Sequence, residues 1–188
     1  MIQQYSDIHL EKNIIATIPA TKLGKYDVVF VWGGLEYAYP SWMLKQLPDE
    51  LFYANILFFI PYNIKWKDVQ PIYKNFLTDR HLINSISKKS IIGFSEGAME
   101  VYRNYTKRLK FVGLIDPISK NTYTKISFNQ NTHLIYNPSN WQSSPITEKS
   151  LPNLAQHIQD NNGTVECVEM NHKNIPSYFF SKFIGKLA

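Results

Sequence analysis

The sequence predicts an α/β protein: a mostly parallel sheet of about six strands with helices on both faces, in one domain spanning 1–188. Three observations predict it. Strand-like apolar runs alternate with helix-like stretches along the chain, and that alternation means parallel strands joined by crossovers. The runs are apolar almost throughout, not at every second residue, which marks strands covered on both faces. Finally, 188 residues with 44% hydrophobic and 14% aromatic content suffice for one sizeable core and are too few for two comfortable ones.

The elements follow in order. Ile14-Ile15-Ala16-Thr17-Ile18 is expected to add an edge strand, and Tyr26-Asp27-Val28-Val29-Phe30-Val31-Trp32 is the first secure strand. Asn55-Ile56-Leu57-Phe58-Phe59-Ile60 is the next, stopped by Pro61. Further runs lie at Lys89 to Gly93, Phe111 to Ile115, His133 to Tyr136 and Thr164 to Glu169. Helical stretches are expected at about 40–52, 65–86, 95–109, 151–162 and 175–187. In the fourth, Leu151, Leu154, Ala155 and Ile158 keep the i, i+3, i+4, i+7 spacing of a core-facing stripe, and Gly163 stands where a helix C-cap would. No internal repeat, low-complexity tract or linker interrupts the series.

Composition removes several classes of function. The single cysteine, Cys167, rules out an internal disulfide framework, and its setting in Val165-Glu166-Cys167-Val168 predicts a buried strand residue. The N-terminus lacks a basic segment followed by a long apolar run, and no stretch approaches the ~20 apolar residues of a membrane helix, so a cytoplasmic chain with no membrane span is expected. A net charge of +5 and a pI near 9.1 invite a nucleic-acid partner. The basic residues are scattered, however, and the densest cluster (Arg103, Lys107, Arg108 and Lys110) falls on more than one helix face, as a solvated helix end does. No nucleic-acid partner is expected. Histidine and cysteine lack ligand spacing and no phosphate-cradling loop is present, so neither metal nor cofactor is expected. The oligomeric state is left open.

In sheets of this kind ligands sit beyond the carboxyl ends of the strands, and here glycine and polar residues gather at those ends. Gly93-Phe94-Ser95-Glu96-Gly97 lies between an apolar strand and a helical stretch, the Gly-x-Ser-x-Gly arrangement of a nucleophile elbow. A turn that sharp places the serine in a strained conformation, and side chains at the flanking positions would clash with the neighbouring strand and helix. A serine hydroxyl also needs a base to take its proton. Of five histidines, His9 precedes the first secure strand, His81 and His157 fall in helical stretches, and His133 starts a strand. His172 alone follows a late strand at its carboxyl end, 77 residues after Ser95.

Trp32-Gly33-Gly34, Gly93-Phe94-Ser95-Glu96-Gly97-Ala98, Leu114-Ile115-Asp116-Pro117 and Asn171-His172-Lys173-Asn174-Ile175-Pro176 resemble the successive landmarks of the α/β-hydrolase superfamily over roughly residues 26–188. The elbow is the specific motif among them. The resemblance implies a single-domain α/β-hydrolase-like fold with Ser95 as nucleophile and His172 as general base. It implies an oxyanion hole shared by the N–H of Glu96 and the loop at Gly34 and Leu35, where Gly33-Gly34 lets a backbone N–H approach a ligand closely. Members usually carry the triad acid just past the strand preceding the histidine strand, and there this chain has Asn140. An amide can orient a histidine but cannot stabilise the imidazolium as a carboxylate does. Asp116, one strand earlier, is the alternative; it also reads as an Asp-Pro turn starter. Glu148 and Glu169 are poorer candidates. Only about 15 residues separate the strand ending at Ile115 from the next, too few for a cap domain. Tyr37, Tyr39, Trp42, Tyr62 and Trp141 fall at the active end, where they either line an open aromatic groove or belong to the core.

Two functions are therefore expected. One is a lidless serine hydrolase cleaving a carboxylic ester, with amide and thioester as alternatives, on a small-molecule or polymer-borne acyl substrate. The other is a catalytically weak or inactive hydrolase-fold protein with a binding or structural role.

Overall fold

The apolar runs pair into one continuous sheet in the computed structural model, which describes residues 5–10, 13–19, 24–34, 38–119 and 122–188. Its strands are β1 (Tyr5–Leu10), β2 (Ile14–Pro19), β3 (Tyr26–Trp32), β4 (Ile56–Pro61), β5 (Ile86–Phe94), β6 (Phe111–Ile115), β7 (Thr132–Tyr136) and β8 (Thr164–Cys167). They lie in the order β1-β2-β4-β3-β5-β6-β7-β8. From β4 to β8 every pairing is parallel, whereas β1 and β2 run antiparallel. Eight strands replace the expected six or so. Ile14–Ile18 does form a strand, but it is inserted between β1 and β4 and is not at the edge. β1 escaped sequence reading because Tyr5-Ser6-Asp7-Ile8-His9-Leu10 lacks the continuous apolar run that marks a strand buried on both faces.

Alternate residues of each central strand feed two separate cores. Tyr26, Val28, Phe30 and Trp32 of β3 face one; Val29 and Val31 face the other. Helices α2 (Trp66–Asp79), α3 (Ala98–Asn104) and α4 (Pro145–Asp160) cover the first face through Val69, Tyr73, Phe76, Val101, Leu151 and Ile158. The second is covered by α1 (Pro40–Leu44) and α5 (Ile175–Leu187), the latter laying down Ile175, Phe179, Phe183 and Leu187 at four-residue spacing. Gly113 of β6 makes room for this helix, since a Cβ there would stand 2.7 Å from Phe179 Cζ.

Several expected boundaries shift for local reasons. The stretch 40–52 is α1 followed by a 3₁₀ turn at Asp49–Phe52, and 65–86 is α2 followed by a 3₁₀ turn at Ile83–Ser85. Helix α4 begins six residues before its apolar stripe, because Pro145 supplies a preset first helical residue. At its other end the left-handed residue is Asn162, with φ 63°, and not Gly163. Gly163 is needed for space: a Cβ would lie 2.4 Å from Ile158 Cγ2 and 2.9 Å from the Thr132 carbonyl. Helix α3 stops at Asn104, so the basic cluster shares no helix. Arg103 pairs with Glu100, and Lys110 pairs with Asp27 at 2.9 Å and donates to the Leu187 carbonyl. Cys167 is exposed, contrary to expectation, because β8 is an edge strand with only intermediate and exposed residues. No helix among the described residues is long and apolar enough to cross a membrane.

His133 gives this packing a pH signature. Its ring lies between Phe111 and Phe183, with centroids 4.6 and 4.7 Å away, and its Nδ1 has no hydrogen-bond partner. Burial, aided by the nearby Lys186 charge, pushes its pKa down to about 4. The unfolded chain takes up this proton near the ordinary value of 6.5, while the folded chain resists it until about 4. His133 therefore adds no protonation cost above the upper value and lowers stability progressively as pH falls through that window. His133→Phe should flatten this part of the pH dependence. Calorimetric melting at pH 7 and pH 4.5 checks it: wild type should lose more Tm than the variant, and equal losses would refute the assignment.

Candidate active site

The elbow is built by close approach of backbones. Ser95 directly follows β5 with φ 55°, in the left-handed region that costs a non-glycine residue roughly 1–2 kcal/mol. The flanking glycines are sterically required. A Cβ at Gly93 would lie 2.6 Å from Ala98 Cα, and one at Gly97 would lie 2.3 Å from the Trp32 carbonyl oxygen. The start of α3 thus rests directly on β3 and β5, through a 3₁₀ turn at Ser95–Gly97 that takes the place of the first turn of the expected 95–109 helix. Gly97→Ala should push β3 away from the elbow, lowering stability by several kcal/mol, in the range of severe backbone and overpacking defects. A urea midpoint unchanged from wild type would contradict this contact.

Gly34 stands on the other side of the serine: a Cβ there would come within 2.6 Å of Ser95 Cβ and 3.0 Å of its Oγ. The backbone after β3 therefore reaches the hydroxyl as closely as glycine permits. Glu96 occupies the 3₁₀ turn immediately after the serine, half-buried. Leu35 and Tyr37 lie outside the described residues. A cavity of about 290 Å³ opens beside the elbow, among Gly33, Asn63, Lys65, Glu96, Met99 and Ile118.

The end of β6 supplies a carboxylate. Asp116 is wholly buried, has φ 39°, and its N–H donates to the Ile135 carbonyl at 2.7 Å. Its Oδ1 accepts from the Asn137 backbone N–H at 2.8 Å. Its Oδ2 accepts from Asn140 Nδ2 at 2.7 Å and lies 2.5 Å from His172 Nδ1. Two residues further on, the Ile118 N–H donates to the Ser95 carbonyl at 3.1 Å, tying this loop to the elbow. A buried carboxylate with three donors has the compensation that burial demands.

His172 lies in the loop between β8 and α5. Its ring packs on that of Phe94, the residue before Ser95, with centroids 4.6 Å apart, and meets the edge of Trp141 at 5.3 Å. The stack continues from Phe94 to Trp42 at 5.8 Å. With Nδ1 directed at Asp116, the neutral ring carries its proton there and leaves Nε2 as the acceptor. Among the described residues the Ser95 hydroxyl makes no hydrogen bond to this ring. Such bonds are often long in unliganded sites and tighten when substrate binds.

Of the residues singled out in the sequence, Ser95, Gly34, Glu96, Asp116, Asn140 and His172 meet at one end of the sheet. The two candidate acids turn out to be partners: Asp116 contacts the imidazole and Asn140 contacts Asp116. Glu148 lies in α4, and Glu169 is exposed beyond the end of β8. Sequence reading missed Asn137, whose Nδ2 holds the Met170 carbonyl at 2.9 Å, and Phe94, the platform under His172. Asn137-Pro138 at a strand end was the available signal for the first. For the second there was none, because an aromatic residue inside an elbow reads as core. Among the aromatics, Tyr39 is exposed and packs on Tyr62 at 4.7 Å, while Trp42 and Trp141 are half-buried beside Phe94 and His172. Among the described residues no three His, Cys, Asp or Glu side chains converge as metal ligands.

No protein-family model matches the sequence, and no curated protein does. Solved structures match it closely in shape. XC6422 from Xanthomonas campestris, described as an α/β serine hydrolase without a lid, aligns with a TM-score of 0.65 at 9% identity over 100% of this chain and 95% of that one. Est1E from Butyrivibrio proteoclasticus gives 0.64 at 6% identity, over 98% and 99%. The fluorophosphonate-binding serine hydrolase FphF of Staphylococcus aureus gives 0.61 at 8%, over 98% and 97%. At these identities the likeness establishes the fold, which is that of the α/β-hydrolases.

Proposed function

We propose that this chain, with its α/β-hydrolase fold, is a serine hydrolase that cleaves a carboxylic ester through an acyl-enzyme on Ser95. The observation that carries the reading is the 2.5 Å contact between His172 Nδ1 and the buried Asp116 carboxylate, set beside a serine held at φ 55°. A strained serine alone could be a structural accident. A strained serine whose chain neighbour Phe94 carries an imidazole, with Nδ1 of that ring held by a buried acid, supplies the parts that nucleophilic catalysis requires.

In this reading Ser95 Oγ attacks the ester carbonyl while His172 Nε2 takes the hydroxyl proton. The carbonyl oxygen becomes an oxyanion, met by the N–H of Glu96 and by backbone N–H from the Gly34–Leu35 segment. The C–O bond to the leaving group breaks, and the imidazolium returns its proton to the departing alkoxide. Water, deprotonated by the same imidazole, then hydrolyses the acyl-enzyme and regenerates Ser95. Asp116 holds the tautomer and stabilises the imidazolium in both halves. Asp116 on the histidine supports this reading over the alternative of an inactive hydrolase-fold protein, for which the amide at 140 is the ground.

Incubation with a fluorophosphonate probe, followed by mass spectrometry of the labelled peptide, tests the proposal. The expected result is one adduct, on Ser95. Folded protein that takes up no probe would overturn it.

A further inference from the structure

Resting on the serine-hydrolase reading, we infer that Asn140 is a positioning residue whose amide fixes the orientation of the Asp116 carboxylate toward His172. The turn Pro138–Trp141 after β7 touches both partners of the acid–histidine pair. Asn140 Nδ2 donates to Asp116 Oδ2 at 2.7 Å and to the Met170 carbonyl at 3.1 Å, two residues before His172. Asn137 repeats the pattern from the start of the turn: its backbone N–H donates to Asp116 Oδ1 at 2.8 Å and its Nδ2 donates to the Met170 carbonyl at 2.9 Å.

The chemistry of an amide suits this place. With one donor on each oxygen the carboxylate cannot rotate about Cβ–Cγ, so Oδ2 stays aimed at the imidazole. The Asn140 amide shares Oδ2 with His172 Nδ1, and it is a neutral donor that keeps its two N–H groups at every working pH. A carboxylate at 140 would place two like charges within hydrogen-bond distance, so that one of them must hold a proton. The position where related folds carry an acid is here occupied by the group that serves an acid located one strand away.

Two variants test this. Asn140→Ala should lower kcat by about 10- to 100-fold with KM changed less than about twofold, the loss expected for a hydrogen bond to a charged group. Its far-downfield His172 Nδ1–H proton resonance should shift or vanish. Asn140→Asp keeps the shape. When protonated it donates to Asp116 as the amide does, and when ionised it opposes Asp116. Its deficit relative to wild type should therefore grow as pH rises, which a merely structural role would not produce. An unchanged kcat and an unchanged His172 resonance in Asn140→Ala, or a pH-independent deficit in Asn140→Asp, would overturn the inference. Higher activity of Asn140→Asp at every pH would move the acid to 140 and overturn it equally. Absent labelling of wild type would defeat the hydrolase reading by itself, while the proton resonance would still report on Asn140.

Discussion

Ser95→Ala should lower kcat by about 10⁶-fold, the loss seen when a triad serine is removed, and should abolish fluorophosphonate labelling. The fold should hardly notice. Alanine keeps the Cβ that packs against Gly34 and suffers the same left-handed backbone at φ 55°, so the melting temperature should stay within a few degrees. Ser95→Gly would go further: relieving the positive φ should raise stability by roughly 1 kcal/mol while removing activity. A gain in stability on losing the Ser95 side chain would mark strain held for a purpose. Residual turnover above about 1% of wild type in either variant would show that another group performs the attack.

Asp116→Asn should cost about 10⁴-fold in kcat, the loss for the equivalent change in a serine-protease triad. The reason is local. Asp116 presents only acceptors, and its Oδ2 takes both the Asn140 amide and His172 Nδ1. Asparagine offers one acceptor and one donor group in the same volume. If its oxygen stays on Asn137 N–H, its NH₂ confronts the NH₂ of Asn140 and faces the imidazole, whose proton must then move to Nε2, where it blocks uptake of the serine proton. If the amide flips, the Asn137 N–H is left without its acceptor. Substrate binding should survive, so KM should change little. Steady-state kinetics with an activated ester checks this, and a loss smaller than tenfold would remove Asp116 from the triad.

The architecture was legible in the sequence because parallel strands buried on both faces have to be apolar throughout, and four helical stretches separate them while a fifth follows the last. The elbow was legible for a related reason: Gly93 and Gly97 are dictated by contacts below 3 Å with Ala98 and Trp32, and a constraint that local leaves a fixed spacing behind. Where the environment is half solvent the signal weakened. β1 was missed, and the burial of Cys167 in β8 was misjudged, because edge strands obey no continuous apolar pattern. The end of α3 was misplaced because Tyr105 to Lys110 contains no proline or glycine to mark a helix end, whereas the backbone turns extended at Tyr105.

By itself, then, the sequence determined the class of the fold, the strained serine and the histidine that follows a late strand, since each of these rests on short-range chemistry written in consecutive residues. Which of Asp116 and Asn140 reaches the imidazole was decided by tertiary structure alone. Both sit at strand ends, both are followed or preceded by proline turns, and 24 residues separate them in the chain. Only the lateral neighbouring of β6 and β7, with the His172 loop folded over both, sets the carboxylate against Nδ1 and the amide behind it. Side-chain order across a sheet is a property of strand pairing and register, and no periodicity in a single chain encodes it.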